Sequence, residues 1–106
     1  MDKVVKIGNK EVTLRATAST VRRYRAAFGR DLLVDMQAFT GGQQSGESLE
    51  AVENLMYIMA KQANDKIPDD INEWLDQFET FPLTDLAVTV VNFWTESSIT
   101  TVKPKK

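Results

Sequence analysis

Four of the chain's five arginines lie within one short stretch, residues 17–36. They are Arg22, Arg23, Arg25 and Arg30, and Arg15 lies just ahead of them. A guanidinium is planar and permanently charged, and it binds carboxylates and phosphates through parallel hydrogen bonds. The cluster is therefore suited to binding nucleic acid or an acidic protein surface, or it is the solvated side of a helix.

A second group of chemically capable residues is acidic and follows Pro68. Asp69, Glu73 and Asp76 recur at helical spacing, so their carboxylates are able to approach a magnesium ion if a second element closes the site. The simpler interpretation, which includes Asp70, is the start of a helix, because the positive end of a helix attracts acidic side chains. We favour the helix start and expect no metal site.

The usual groups of enzyme active sites are absent. The chain has no cysteine and no histidine, which excludes disulfides, thiol nucleophiles and the usual base of a catalytic triad. The remaining carboxylates, lysines, tyrosines, serines and threonines form no phosphate loop, calcium loop or nucleophile elbow. We therefore expect no catalytic residues, no cofactor and no enzymatic activity.

Charge is separated along the chain. Residues 1–30 carry eight basic against two acidic residues, a balance of +6, and residues 31–102 carry thirteen acidic against two basic ones, a balance of −11. Residues 103–106 return +3, which leaves the net charge of −2. This asymmetry predicts contact with a polyanion at the basic end or head-to-tail attraction between copies.

Composition indicates a single globular domain over residues 1–106. Hydrophobic residues make up 42% and charged residues 26%, which is ordinary for such a domain. The longest apolar run, residues 55–60, is far shorter than the ~20 residues of a membrane span. The first ten residues lack the apolar core of a signal peptide, so we expect a cytoplasmic protein without membrane contact.

The elements that must position these residues begin with a β-hairpin over residues 3–16. Two runs of alternating β-branched residues flank a turn, which we predict at Asn9-Lys10. Helices must cover the apolar face of the hairpin, because a lone hairpin is marginal in water. The pairs that face each other on this side are then Ile7 with Val12 and Val5 with Leu14.

The arginines belong to the first of about five predicted helices. Ser19 is its expected N-cap, and Gly29 ends it before Asp31 opens a second helix. The apolar stripe of the first helix consists of Val21, Tyr24 and Phe28, and the arginines fan out over the opposite arc. The apolar residues of the second helix are Leu32, Leu33, Met36 and Phe39.

The third helix is predicted at the centre of the domain. Residues 40–48 are rich in glycine, glutamine and serine and predict a loop, after which Ser48 is able to cap a helix to about Asn64. That helix is apolar nearly all round, which is typical of a buried helix.

Two further helices and a tail complete the expected fold. The fourth helix follows Pro68, and the fifth begins after Thr84 and ends at about Ser97. Residues 98–106 are expected to form a flexible tail. The fold class is therefore α+β, mainly helical with about five helices and an N-terminal hairpin.

The C-terminal third has more apolar rows than one core contact needs. A helix with two adjacent apolar rows often buries one row in its domain and the other in a partner. We therefore predict Phe81 or Trp94 as an apolar partner contact. The two rows of the fifth helix are Leu86, Val90 and Phe93, and Ala87, Val91 and Trp94.

The segment ATASTVRRYRAAFGRDLLVDM, residues 16–36, resembles the sequences of a known family. A small hairpin, a helix bearing R-x-Y-R, an F-G-R-D-L break and a second helix are similar to the tail assembly chaperones of long-tailed phages and prophages of Gram-positive bacteria. The order of the later elements is also the same. These are the segments LEAVENLMYIMAKQAN and INEWLDQFETF and the predicted helix ending NFW. The resemblance covers about residues 3–97.

The resemblance implies a non-enzymatic phage protein of the bacterial cytoplasm, absent from the mature virion. Family members are thought to coat the tape measure protein, keep it soluble and deliver it to tail tube subunits. Such a chaperone works in several copies, which implies a homo-oligomer and makes Arg22, Arg23, Arg25 and Arg30 pairing charges. Family members are often made in two lengths by a translational frameshift, and a lysine-rich end is compatible with A-rich codons.

The alternative function is a small nucleic-acid-associated or regulatory phage protein that uses the arginine-rich helix. Against it, most of the chain is acidic, and Ala26 and Ala27 offer no polar group to a base edge. We therefore expect protein partners rather than nucleic acid.

Overall fold

The computed structural model describes residues 1–42 and 46–102, with side chains as far as residue 97. Within these ranges the chain forms a two-stranded antiparallel sheet and five helices, which confirms the α+β, mainly helical fold. The elements are β1 (Asp2–Ile7), β2 (Lys10–Arg15), α1 (Thr20–Phe28), α2 (Leu32–Thr40), α3 (Gly46–Ala63), α4 (Ile71–Leu75) and α5 (Leu83–Val102).

The hairpin turn lies one residue earlier than the sequence predicts. Ile7 pairs with Lys10, which makes Gly8 and Asn9 the turn, and Gly8 takes the left-handed conformation with φ 64°. Glycine adopts that conformation without a steric penalty, which explains its preference for this position. The partner of Val5 is therefore Val12 rather than Leu14. The register moves by two residues, so the apolar residues stay on the same face.

Helix α3 is the centre of the domain, as its apolar circumference predicts. Every residue from Asn54 to Ala60 is buried, although together they cover the whole circumference of the helix. Strand β2 and helices α1, α2, α4 and α5 all pack against it. The hairpin contributes Val5, Ile7 and Leu14 to the same core. A stretch of helix with no solvated face requires neighbouring elements on all sides.

The break between α1 and α2 follows the predicted signals closely. Gly29 ends α1 with φ 67°, and its N–H donates to the carbonyl of Arg25 at 2.7 Å. Asp31 caps α2, because its carboxylate accepts from the N–H of Leu33 at 2.9 Å. Ser19 occupies the N-cap position of α1, but its hydroxyl accepts from Nε of Arg23 instead of from the helix backbone.

The boundaries of α3 and α5 differ from the predicted ones. Helix α3 begins at Gly46, so Ser48 lies buried within its first turn rather than at the N-cap position. The predicted loop 40–48 is shorter, since Thr40 belongs to α2, and residues 43–45 lie outside the described residues. Helix α5 begins at Leu83 and continues to Val102 rather than ending at about Ser97. Of the predicted tail, residues 103–106 lie outside the described residues.

Both apolar rows of α5 are buried within the chain. Leu86, Val90 and Phe93 are at most 7% exposed, and the second row is covered nearly as well. This row consists of Ala87, Val91 and Trp94, which are 1%, 4% and 8% exposed. Among the described residues, no helix is both long and apolar enough to cross a membrane.

Candidate protein-binding surface

Three of the predicted pairing charges point into solvent from α1. Arg22, Arg23 and Arg25 are exposed, and no acidic side chain of the described residues pairs with any of them. Arg23 donates through Nε to the hydroxyl of Ser19 at 2.9 Å, which fixes its stem near the start of the helix. Its remaining guanidinium N–H groups are available to an external acceptor.

A groove lies beside these arginines, between α1 and α3. Arg23, Ala26 and Ala27 share one side of α1, because residues three and four apart are neighbours on a helix. Alanine side chains are short, so they leave a depression above buried Ile58 of α3. The depression has a volume of about 360 Å³, and its other lining residues are Tyr57, Lys61, Gln62 and Asp69.

The rim of the groove opposite Arg23 carries an ion pair. The ammonium of Lys61 hydrogen-bonds to the carboxylate of Asp69 and donates to the carbonyl of Ile67 at 3.4 Å. The hydrogen bond to Asp69 raises the pKa of Lys61 and lowers the pKa of the Asp69 carboxyl. Asp69 is almost wholly exposed, so this pair contributes little to stability and opens at small cost.

Hydrogen bonds from α3 fix the position of α1. The hydroxyl of Thr20, which is fully buried, donates to Oε1 of Gln62 at 2.8 Å. Nε2 of Gln62 in turn donates to the hydroxyl of Thr17 at 2.8 Å. The N–H of Thr17 closes the cycle by donating to the hydroxyl of Thr20 at 2.9 Å. The groove therefore has walls that are held by both packing and polar contacts.

Arg30, the fourth predicted pairing charge, has a partner within the chain. Its Nε and Nη2 donate to the two carboxylate oxygens of Asp35 at 2.9 and 2.8 Å. The buried hydroxyl of Tyr24 donates to the same carboxylate at 2.7 Å. These bonds join α1, the break and α2, so Arg30 serves the fold and does not belong to the exposed arginine face.

The pKa values of this network shift in the direction that the contacts require. The hydrogen bonds from Arg30 lower the pKa of Asp35, against the opposing effect of its burial. Burial raises the pKa of Tyr24, and the adjacent carboxylate raises it further. Asp35 is thus charged and Tyr24 neutral at physiological pH, which is the arrangement in which all three groups are satisfied.

The two predicted apolar contacts lie in different environments. Phe81 is half-buried, and its ring centroid lies 6.2 Å from Trp74 and 5.6 Å from Phe78. Trp94 is buried in the core and only 8% exposed. Trp94 therefore packs within the chain, and Phe81 retains a partly open face at the edge of an aromatic cluster.

The acidic group after Pro68 behaves as a helix start. The carboxylate of Asp70 accepts from the N–H of Glu73 at 3.2 Å and caps α4, while Asp69 pairs with Lys61. Glu73 and Asp76 are exposed. Within residues 1–42 and 46–102, no three acidic residues are arranged as a metal-binding group.

The sequence interpretation missed the groove, although it discussed Arg23, Ala26 and Ala27 on the α1 side. Ala26 and Ala27 enter that interpretation only as residues unable to contact a base edge, and the α3 side enters it only as a helix that is apolar nearly all round. Two adjacent small residues on an otherwise charged helix indicate either that another element packs closely there or that a surface depression forms, and this signal could have predicted the groove. Comparison of the chain with protein-family models, curated proteins and solved structures finds no match in any of the three.

Proposed function

We propose that this chain is a non-enzymatic tail assembly chaperone of a long-tailed phage or prophage. In this role it binds the tape measure protein in the host cytoplasm, acts in several copies and assists assembly of the tail tube protein. It leaves before the virion is complete. The resemblance of about residues 3–97 to that family suggests the client, and the groove between α1 and α3, with Arg23 and Lys61 in its lining, supports a binding role.

The chemistry of the groove suits a helical client segment. Its base is apolar, with Ala26, Ala27 and Ile58, and the cation Arg23 stands on the α1 side. An amphipathic helix is able to place an apolar ridge in such a depression and carboxylates beside the arginines. Burial of the ridge supplies affinity, and the charge pairs supply orientation and a faster encounter. Tape measure proteins are long helical chains, so they offer many such segments.

The first test is co-expression with the tape measure protein encoded beside this chain. We expect the two proteins to co-purify as a soluble complex, whereas the tape measure protein alone aggregates. Ala27→Trp fills the groove from an exposed position and should weaken the complex about tenfold or more, since a bulky side chain then occupies the client site. Failure of the wild-type chain to retain the tape measure protein would contradict the proposal.

The matched control is Val34→Trp. Val34 is 58% exposed on α2, away from the groove, so the same side chain added there should leave the complex intact. Equal weakening by both variants would mean that a bulky surface residue disturbs binding in general, and the groove would lose its assigned role.

The nucleic-acid alternative is tested by titrating labelled single- and double-stranded DNA at physiological salt. The exposed Arg22, Arg23 and Arg25 favour this alternative, because phosphate contacts need free guanidinium groups. We expect only weak binding. Micromolar or tighter binding with a steep salt dependence, lost when the three arginines are replaced by glutamate, would favour the alternative.

A further inference from the structure

The hairpin leaves one strand edge of the sheet unpaired. The described residues form only two strands, so β1 has a partner on one side and none on the other. Helix α3 packs on β2, and no helix in the described part of the chain makes comparable contact with β1. Open edges favour pairing with another strand, because their N–H and C=O groups lack partners in the sheet.

The register identifies which backbone groups of β1 point to this edge. The N–H of Ala16 donates to the carbonyl of Met1, so this pair is hydrogen-bonded. Bonded and non-bonded pairs alternate along an antiparallel ladder. The pairs that follow along the register are Asp2 with Arg15, Lys3 with Leu14 and Val4 with Thr13. The groups of Asp2, Val4 and Lys6 therefore point away from β2, to the open edge.

The side chains of the same three residues are exposed. Asp2, Val4 and Lys6 alternate with buried Val5 and Ile7, so they lie on the outer face of the sheet. Val4 is 57% exposed, which is unusual for a β-branched apolar residue in the middle of a strand. An unpaired edge and an exposed apolar side chain thus coincide at one residue.

We propose that β1 pairs antiparallel with β1 of a second copy of this chain, about a two-fold axis at Val4. This inference does not depend on the proposed function, because it rests on the strand edge alone. Two β1 edges can form hydrogen bonds only when residues whose backbone groups point to the open edge stand opposite each other. Centring the pair on Val4 gives the longest such overlap, with Asp2 opposite Lys6 of the second copy. Three bonded pairs of two hydrogen bonds each give six bonds.

Charge complementarity favours this register over others. In the single chain, Arg15 pairs with Asp2 at 3.0 Å, and Lys6 stands opposite Glu11. Across the proposed four-stranded sheet the order on the outer face becomes Arg15 and Asp2 of one copy, then Lys6 and Glu11 of the other. Charge thus alternates in sign at every step, and opposite charges on neighbouring strands stabilise a sheet.

A second copy fits this edge better than an unrelated extended segment. The pairing is isologous, so one surface supplies both sides of the contact, as most symmetric dimers require. Lysine on an edge usually discourages pairing, but here Lys6 meets Asp2 and Lys3 meets the apolar side chain of Val5. The four-stranded sheet also brings the two Val4 side chains together on the outer face.

The test is amide hydrogen exchange combined with sedimentation equilibrium, from about 10 µM to about 1 mM protein, the range suited to a small interface. We expect the N–H groups of Asp2, Val4 and Lys6 to become protected as concentration rises. Those of Lys3, Val5 and Ile7, which bond to β2, should be protected at every concentration. A chain that stays monomeric over the range, with these three N–H groups exchanging freely, would overturn the proposal.

Two proline variants provide a matched pair. Val4→Pro removes an outward N–H without breaking a bond to β2, which an edge strand tolerates, and should weaken the dimer about tenfold or more. Thr13 stands opposite Val4 on β2, and its N–H points away from β1, to the other edge of the sheet. Thr13→Pro removes that N–H and should leave the dimer intact. Equal effects of the two variants on the dimer would overturn the proposal. It would also be overturned if the N–H groups of Asp2, Val4 and Lys6 became protected from exchange only when the tape measure protein is added to the monomer.

A circular dichroism spectrum checks that each proline variant is folded. If Val4→Pro is unfolded, Val4→Lys serves in its place, because it keeps the N–H and sets two ammonium groups side by side at the two-fold axis. We expect the lysine variant to sediment as a monomer. Loss of dimer with client binding intact confirms the edge as a separate surface, and loss of client binding with the dimer intact counts only against the proposed function.

Discussion

Arg30 lies in the break between α1 and α2, whereas Arg22 and Arg25 lie on α1. These arginines carry the same charge but have different surroundings. Arg30 forms two hydrogen bonds with Asp35, which is 6% exposed and also accepts from Tyr24. Arg22 and Arg25 make no hydrogen bond to a side chain of the described residues. The comparison shows that a cluster of like residues in sequence divides into one structural cation and a group whose charges stay exposed and without an ion pair among the described residues.

The contrast has a physical origin in the position of the acidic partner. Asp35 lies one turn inside α2, where its carboxylate accepts hydrogen bonds from Arg30 at the break and from Tyr24 of α1. Among the described residues, no acidic side chain forms an ion pair with Arg22, Arg23 or Arg25 of α1. Their charges cost little in water and remain available, whereas Asp35 would be costly to bury without its two donors.

The largest expected effect is on folding stability, from Asp35→Ala. The change leaves the buried hydroxyl of Tyr24 without its carboxylate acceptor and Arg30 without its ion pair. Arg30 is half exposed and regains water, so we expect a loss of about 2–3 kcal/mol rather than the full cost of a buried pair. Urea unfolding followed by tryptophan fluorescence measures the loss.

Glu79→Ala is the control for that measurement. Glu79 is exposed, so its removal should change the free energy of unfolding by less than about 0.5 kcal/mol. If Asp35→Ala is as mild as the control, the network around Arg30 is not structural and the contrast between the arginines fails.

A smaller effect is expected in the pH dependence of stability. The folded pKa of Asp35 lies below its ordinary value of 3.8, so its stabilisation is complete above that pH and is lost as pH falls through the folded value. The difference in unfolding free energy between wild type and Asp35→Asn should therefore be constant above about pH 5 and shrink below about pH 4.

Comparing the two proteins at each pH removes contributions that they share. Burial raises the pKa of Glu53, which acts in the opposite direction, and the exposed carboxyls of Asp2 and Asp69 act in the same direction as Asp35. All three are present in both proteins. A difference that stays the same down to pH 3 would show that the pKa of Asp35 is not lowered.

Much of the fold was predictable from local signals. The apolar circumference of α3 indicated a central helix, and Gly29 and Asp31 indicated the break between α1 and α2. The hairpin turn was placed one residue late, because Gly8-Asn9 and Asn9-Lys10 both suit a turn and both leave Val5, Ile7 and Leu14 on one face. Only the positive φ of Gly8 decides between them.

The candidate site was predictable only in part, since it depends on which elements meet. The exposure of Arg22, Arg23 and Arg25 follows from their position opposite the apolar stripe of α1. The groove depends on the approach of α1 to α3, which the residues of α1 alone do not specify. Trp94 is buried because α5 packs both apolar rows within the domain, and one row was predicted to remain for a partner.

The most direct test of the account measures the affinity and stability of two arginine variants. In Arg22→Glu/Arg23→Glu/Arg25→Glu, we expect affinity for the tape measure protein to fall about tenfold or more, with the urea midpoint nearly unchanged. In Arg30→Lys, which loses the two-pronged contact with Asp35, we expect a lower midpoint with affinity retained. Unchanged affinity in the triple variant, or lost affinity in a folded Arg30→Lys protein, would contradict the division between exposed and structural arginines.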